Sequence, residues 1–438
     1  MFMCSTAQKN VPAWLYELGN SDEARRIKAL TETLNTQKIE FPPFSTDVNN
    51  HVHTRYSFSP YTPTEVAFYA RLSGLQVVGS VDHDSIAAAK EMKLAASLLK
   101  MGSTVGVEVR VSFKQTPLAE RRLNNPDTIG NAYIVFHGVP PAGWPTITSW
   151  LKPIHRAREA RNRMMVENVN REVSSLLGTF SYDRDILPLS WADKGGSVTE
   201  RHILQSIALR ILDQEKVPER VINFLEEKLH VAIPGKVKEW LRDKDNPHLV
   251  YDVLGVLKAE LLPRIFLQPE SAECPPVQEA TKIARDSGAI PAYAYLGDVS
   301  VSPTGDKKAQ TFEDAYLEEL FQALPDLGFQ AVTYMPPRNT LSQLKRVQSL
   351  AASLGLMEIS GVDINSSRQQ FPCPEIHRPE FQHLIETTWA LVGHEVLTKD
   401  NPQAGLFGPA SPFIHKPLTE RIMEYATVGK ESLQSLLP

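Results

Sequence analysis

The chain has 438 residues, and 46 Lys and Arg against 51 Asp and Glu leave a net charge of −5 with His neutral. That balance offers no basic footprint for nucleic acid or an anionic membrane. With 42% hydrophobic and 22% charged residues, the composition suits a globular protein with a large core and excludes global disorder.

Residues 11–35 read as one amphipathic helix, halted at Phe41-Pro42-Pro43-Phe44 because proline cannot continue the hydrogen-bond ladder. A boundary is expected there, with residues 1–44 as an N-terminal helical extension. Short β-rich runs then alternate with helices: VNNHVH, a helix from about Pro63, QVVGSVDH, a helix from about Ile86, TVGVEVRVSF and NAYIVFHGV. Thr62 can cap the first of these helices, Pro63 suits its first position, and Glu65 completes a capping box. Over residues 143–275 the strand pattern gives way to long charged helical stretches, the mark of a helical insertion. The run containing Arg156, Arg158, Arg161 and Arg163 reads as a solvated face. Alternation resumes with the strand AIPAYAYL, a helix from about Phe312 to Leu324, the strand FQAVTYMP, a helix from about Thr340 to Ser353, and the strand MEISGVDIN. The expectation is an α/β fold of about seven strands built from residues 45–142 and 276–370. Residues 371–438 read as C-terminal helical decoration.

The chemistry gathers at predicted strand ends. His51 and His53 stand two apart, so both imidazoles can face one ion. The next strand ends in Val81-Asp82-His83-Asp84, the third carries Glu108 inside GVEVR, the fourth ends in His137, and a later one carries Asp363. Strand ends are where α/β barrels place their sites. Either His51 or His137 could be a satisfied core histidine. Glu108 between Val107 and Val109, and Asp363 between Val362 and Ile364, are different, because a carboxylate in an apolar strand is costly to bury without a partner or a metal. Imidazole and carboxylate donors together favour Zn, Mn or Fe. The three cysteines, Cys4, Cys274 and Cys373, lie far apart and fit neither a disulfide framework nor a Cys-rich zinc site. The start, MFMCSTAQKN, has no signal-peptide pattern, and no apolar run reaches the ~20 residues of a spanning helix, so a cytoplasmic protein without membrane attachment is expected.

The stretch NNHVHTRYSFSPYTPTEVAFYARLSGLQVVGSVDHDSIAAAKE resembles the opening of the polymerase and histidinol phosphatase (PHP) family of metal-dependent phosphoesterases. The resemblance covers about 45–140 and 276–366. GGSVTERHILQSIALRIL is similar to the helical segment that members with a lid insertion place over the site. The resemblance implies a distorted seven-stranded β/α barrel whose strand-end ligands surround up to three metal ions. Matched position by position, His51, His53, Glu108 and Asp363 would bind the first ion, Glu108 would bridge to a second that also takes His137, and His83 would serve a third. The chain departs from the pattern at Phe58 or Ser59, at Tyr295 and at Asn365, where the family has acidic or imidazole ligands. Tyr295 and Asn365 could still contribute oxygen, to substrate or metal. One or two ions per chain are therefore expected.

A phosphorylated substrate also needs a grip on its anion. Ser197 followed by Glu200 reads as a capping box, which would put Arg201 and His202 in the first turn of a helix, where free N–H groups favour phosphate. Arg55, just after the His pair, is a second candidate. Three readings follow from the residues: a phosphoesterase acting on a small phosphorylated metabolite or nucleotide, a metal- or ligand-binding protein without turnover, and an amide or lactone hydrolase on the same barrel.

Overall fold

The computed structural model describes residues 12–37, 39–125, 128–299 and 311–434. The start of the chain, including Cys4, lies outside the described residues, as do the last residues of the expected C-terminal helix. Helices α1 (Ala13–Leu18) and α2 (Glu23–Thr36) precede strand β1 (Val48–Val52); α3 (Pro63–Leu72), β2 (Val77–His83), α4 (Ala89–Leu98), β3 (Gly102–Ser112) and β4 (Asn131–His137) follow. Six helices come next: α5 (Trp144–Leu177), α6 (Glu200–Gln214), α7 (Pro218–Asn223), α8 (Gly235–Arg242), α9 (Leu249–Glu260) and α10 (Leu262–Ile265). The chain then runs through α11 (Val277–Asp286), β5 (Ile290–Ala294), α12 (Leu317–Ala323), β6 (Ala331–Tyr334), α13 (Leu341–Leu354) and β7 (Met357–Ser360), and ends in α14 (His383–Leu397) and α15 (Leu418–Gln434).

The seven strands lie side by side in chain order. All neighbours are parallel except β4, which runs antiparallel to both β3 and β5. The outer strands approach each other beyond β7, where Val52 and Ile364 form a parallel bridge. The amide of Ile364 donates to the His51 carbonyl at 3.1 Å, and that of His53 donates to the Ile364 carbonyl at 2.9 Å. The capping box at α3 is present: Thr62 accepts from the Glu65 amide, and Glu65 accepts from the Thr62 amide.

Three differences from the sequence reading have local causes. The expected N-terminal helix is two, because the chain turns at Gly19-Asn20-Ser21 and Asp22 caps α2 by accepting from the Arg25 amide at 3.1 Å. The pair is joined to the sheet domain by a buried ion pair between Arg26 and Glu91. The segment read as decoration contributes to the main core: Trp389, Ala390 and Leu391 of α14 pack with Val105, Phe136 and Ile359, and Glu395 accepts from the Val105 amide at 2.7 Å. α14 has no polar face to betray this, because it is covered by the sheet on one side and by α15 on the other. Finally, the basic run of α5 is a solvated face only in part: Arg156 and Arg163 are exposed, but Arg158 and Arg161 are not. Arg158 and Arg161 are buried with Arg110 of β3 against Glu200, Glu273 and Asp84. Three guanidinium groups thus balance three carboxylates, the condition under which charge can be buried at all.

The helices between β4 and α11 have a hydrophobic cluster of their own, running from Met165 to Ile265, which Phe58 joins from the β1 side. Among the described residues no helix is long and apolar enough to cross a membrane.

Candidate metal centre

The site begins with an irregularity in β1. Its register against β2 slips between Asn49 and Val52, a bulge that re-aims His51. Gly361 makes room for it, since a Cβ there would stand 2.6 Å from the His51 Cβ. His53 follows directly, its ring centroid 5.2 Å from that of His51. Its tautomer is set from behind. The Ser57 hydroxyl donates to Asp82 at 2.6 Å, so at 3.3 Å it can only accept from His53 Nδ1–H. That leaves an unprotonated Nε2 facing the site, buried and without a hydrogen-bond partner. Asp82 is pinned in turn by the amide and hydroxyl of Thr54, both at 2.7 Å.

β2 and β3 bring His83 directly beside Glu108 in register. Glu108 Oε2 lies 3.0 Å from His83 Nδ1, 3.7 Å from His53 Nε2 and 3.8 Å from His51 Nε2. Burial would raise the Glu108 carboxyl, but His83 and His51 hold it well below the usual carboxylate range. His51 is raised despite its burial, because Glu108 stabilises the imidazolium, whereas burial lowers His53.

His137 needs a correction. Because β4 is antiparallel, its end is not among the carboxyl ends of the parallel strands; His137 pairs with Ile290 at the start of β5 and approaches from deeper in the sheet. It is buried, its Nε2 has no hydrogen-bond partner, and burial followed by the proximity of His51 pushes it down to about 3. His137 is thus a neutral imidazole within electrostatic reach of His51 and Glu108.

Asp363 also differs from its expected place. β7 ends at Ser360, and Asp363 lies in the segment that bridges back to β1. Its Oδ1 is 3.2 Å from His53 Nε2. Burial opposes its charge, but His53, His51 and Arg201 hold it well below the normal range. The Asn365 side-chain NH2 donates to Asp363 Oδ1 at 2.7 Å and so positions that carboxylate.

Of the other predicted contacts, Tyr295 is committed elsewhere, its hydroxyl donating to Asp314 at 2.6 Å. The α6 cap is Thr199 with His202, not Ser197 with Glu200: His202 Nδ1 accepts from the Thr199 amide at 3.0 Å, and Ser197 donates to the His83 carbonyl at 2.6 Å. His202 is buried against Phe58, with burial lowering it to about 3, so it shapes the helix start and is not open to an anion. Phe58 itself joins the helical cluster and faces no ion. Arg201 is half-buried, 5.9 Å from the Phe58 ring centroid, with its charge felt at Asp363. Arg55 donates to the Pro60 carbonyl at 3.4 Å and sits near Trp191. Sequence reasoning missed Arg338, which follows β6 in a loop without any motif. Its Nε donates to the Leu296 carbonyl at 2.9 Å, its Nη2 is buried without a partner, and its charge reaches Asp363.

The donor set fits a metal ion. One ligand atom from each of His51, His53 and Glu108 lies within 4.8 Å of the others, and all three residues are buried. The two orphaned imidazole nitrogens of His53 and His137 are the acceptors that a cation would satisfy.

Two solved structures are similar to the chain. One, a protein from Bifidobacterium adolescentis provisionally assigned as a metal-dependent phosphoesterase, is 17% identical; the match covers 80% of this chain and 98% of that one, with a TM-score of 0.51. The other, an amidohydrolase from Chromobacterium violaceum with bound sulfate and no metal, is 19% identical over 77% of this chain and 95% of that one, with a TM-score of 0.51. The likeness is one of fold, and it agrees with the expected PHP-type α/β architecture. No family model and no curated protein sequence matches the chain.

Proposed function

We propose that the protein is a metal-dependent phosphoesterase that hydrolyses a small phosphorylated metabolite or nucleotide. The observation that carries this reading is the buried His51–His53–Glu108 cluster, with Asp363 3.2 Å from His53 and unpaired nitrogens turned inward. These residues would hold one or two ions of Zn, Mn or Fe, the Glu108 Oε2 lying 3.0 Å from His83, 3.7 Å from His53 and 3.8 Å from His51. When bound, such an ion supplies Lewis acidity, acidifying water and withdrawing charge from a phosphoryl oxygen. The protein supplies the rest. His53 is locked in one tautomer by Ser57 and Asp82. His83, the most exposed imidazole of the group at 21%, is placed to exchange a proton with a leaving group. Arg201 and Arg338 offer positive charge beside Asp363, where a phosphate would otherwise meet only carboxylates. Cys274 and Cys373, buried and free, support a reducing, cytoplasmic setting.

A second reading, ligand or metal binding without turnover, is favoured by one observation: the Tyr295 hydroxyl is spent on Asp314 and does not extend the ligand set. A panel of phosphate esters, amides and lactones, assayed on metal-stripped protein with Mn or Zn restored, separates the readings. The proposal expects metal-dependent phosphate release that His53→Ala abolishes. Metal uptake with no turnover supports the second reading, and amide or lactone cleavage alone supports a hydrolase of another class.

A further inference from the structure

Asp363 lies beyond the end of β7, its neighbours Val362 and Ile364 tied to β1. The short segment that follows braces it further. Gln369 Nε2 donates to the Asp363 carbonyl at 2.6 Å, and Gln369 Oε1 accepts from the amides of Asn365 and Ser366, both at 2.8 Å. These bonds close residues 363–369 into one turn. The two residues of that turn that face away from the cluster are both bound by the helical segment. Arg368 donates to Asp252 of α9 through Nε at 2.5 Å and Nη2 at 2.7 Å, the bidentate geometry that makes an arginine pair directional. Its guanidinium carbon also lies 3.9 Å from the ring centroid of Trp240 in α8. Ser367 meets His248 at 2.8 Å. Asp252 is buried and braced by the Asn246 amide at 2.7 Å, whereas Arg368 stays 30% exposed.

We infer that Arg368 and Asp252 are positioning residues through which the helical segment sets the place of Asp363 in the metal centre. The buried charged attachment of the helical segment to β3 differs in kind. There Arg110, Arg158 and Arg161 are sealed with their carboxylates beside Asp84, and nothing in that network reaches Asp363. A shift of α8 and α9 would act on the metal centre through Arg368 alone among the charged groups of the turn. Partners that orient a ligand typically change metal affinity by about 10- to 100-fold when removed.

The inference rests on the reading of Asp363 as a metal-facing carboxylate, and the experiment separates the two. Zinc affinity of the full-length, metal-stripped protein is measured by competition with a chelating dye for the parent, Asp363→Ala, Arg368→Gln, Asp252→Asn and the double variant of the last two. The expected result is weaker zinc binding by roughly tenfold in each single variant of the Arg368–Asp252 pair and no further loss in the double variant. Arg368→Lys, which keeps the charge but not the fork, should fall between; it also covers the case in which Arg368→Gln folds poorly. Parent-like affinity in both single variants of that pair beside a clear loss in Asp363→Ala would overturn the inference and spare the metal reading. Losses that add in the double variant would also overturn it. Parent-like affinity in Asp363→Ala would remove the metal reading and the inference with it.

Discussion

Asp363 Oδ1 stands 3.2 Å from His53 Nε2, although the two residues come from opposite edges of the sheet. β1 and β7 are the outer strands, drawn together by the Val52–Ile364 bridge and by the side chains of Asn49 and Asn50, which bond to Val362 and Ser360. The candidate metal centre thus sits on a seam. Its histidines and Glu108 come from consecutive strands, while the half-buried Asp363 carboxylate comes from the far edge, so an ion there would tie the two edges of the sheet.

Removing the seam should remove the ion. His53→Ala deletes a buried nitrogen that has no other partner, and Asp363→Ala deletes the carboxylate facing it. Elemental analysis of the purified parent should give one or two transition-metal ions per chain, with most lost in either variant. Because a ligand that binds only the folded state stabilises it by about 2.7 kcal/mol at a hundred times its Kd, zinc should also raise the melting temperature of the parent and leave both variants unmoved. Unchanged metal content in both would show that the cluster is an ordinary buried polar group.

Gly361 offers a test that leaves every ligand in place. A methyl group there would lie 2.6 Å from the His51 Cβ and 2.7 Å from the His51 nitrogen, neither of which is the free end of a side chain. Gly361→Ala must therefore push the β1 bulge away. Overpacking of this kind costs about 1–3 kcal/mol, and it should appear in chemical denaturation together with weaker metal binding. Gly255→Ala is the control, since nothing lies within 4 Å of a Cβ at that position of α9, and it should be neutral or slightly stabilising. Equal behaviour of the two variants would rule out a spacing role for Gly361.

Much of this centre was legible because strand ends announce themselves. His51, His53, His83 and Glu108 could be placed from alternation and from the cost of burying a carboxylate between valines, and the structure brings them together. What stayed hidden depends on relations that local pattern does not carry. The reversal of β4 changes the direction from which His137 approaches but not the composition of its strand. Asp363 reads as strand because Val362 and Ile364 flank it, yet its backbone pairs with β1 instead of continuing β7. Tyr295 looks like a weakened ligand until its hydrogen bond is traced to Asp314. Arg158 and Arg161 sit in a run as polar as any exposed helix face, and only the three carboxylates brought from distant positions explain their burial.

Stability should depend on pH through a histidine remote from the metal. His394 of α14 is buried, with Nε2–H donated to the Gly288 carbonyl at 2.7 Å and Nδ1 accepting from the Leu406 amide at 3.0 Å. Burial lowers it to about 4. The unfolded chain takes up this proton near pH 6.5 and the folded chain only near 4, so the contribution is fully present above about pH 6.5 and is lost as pH falls through that window. At about 1.4 kcal/mol per pH unit, the loss reaches about 3 kcal/mol. Denaturation at pH 7.5 and 4.5 should show a smaller pH effect in His394→Gln than in the parent, with the variant less stable at the higher pH. Parallel pH dependence in the two proteins would mean that the histidine is solvated in the native state.

Arg201 carries the last prediction, and its placement divides substrate grip from metal binding. The residue lies in the first turn of α6, beyond the reach of the ligand nitrogens, while its charge helps to keep Asp363 ionised. Among the described residues it makes no hydrogen bond or ion pair. A charge-assisted hydrogen bond to phosphate contributes about 1.5–3 kcal/mol, and 1.4 kcal/mol corresponds to about a tenfold change. Arg201→Ala should accordingly lower kcat/KM for a phosphate ester by roughly tenfold to a hundredfold with metal content intact. Lysine should recover only part of the loss, because it lacks the planar fork that binds two oxygens together. A surface arginine would give both variants the parent's kinetics. In that outcome Arg338, with its unpaired Nη2 and a charge that reaches Asp363, becomes the anion contact to test, ahead of Arg55, which is already turned towards Pro60 and Trp191.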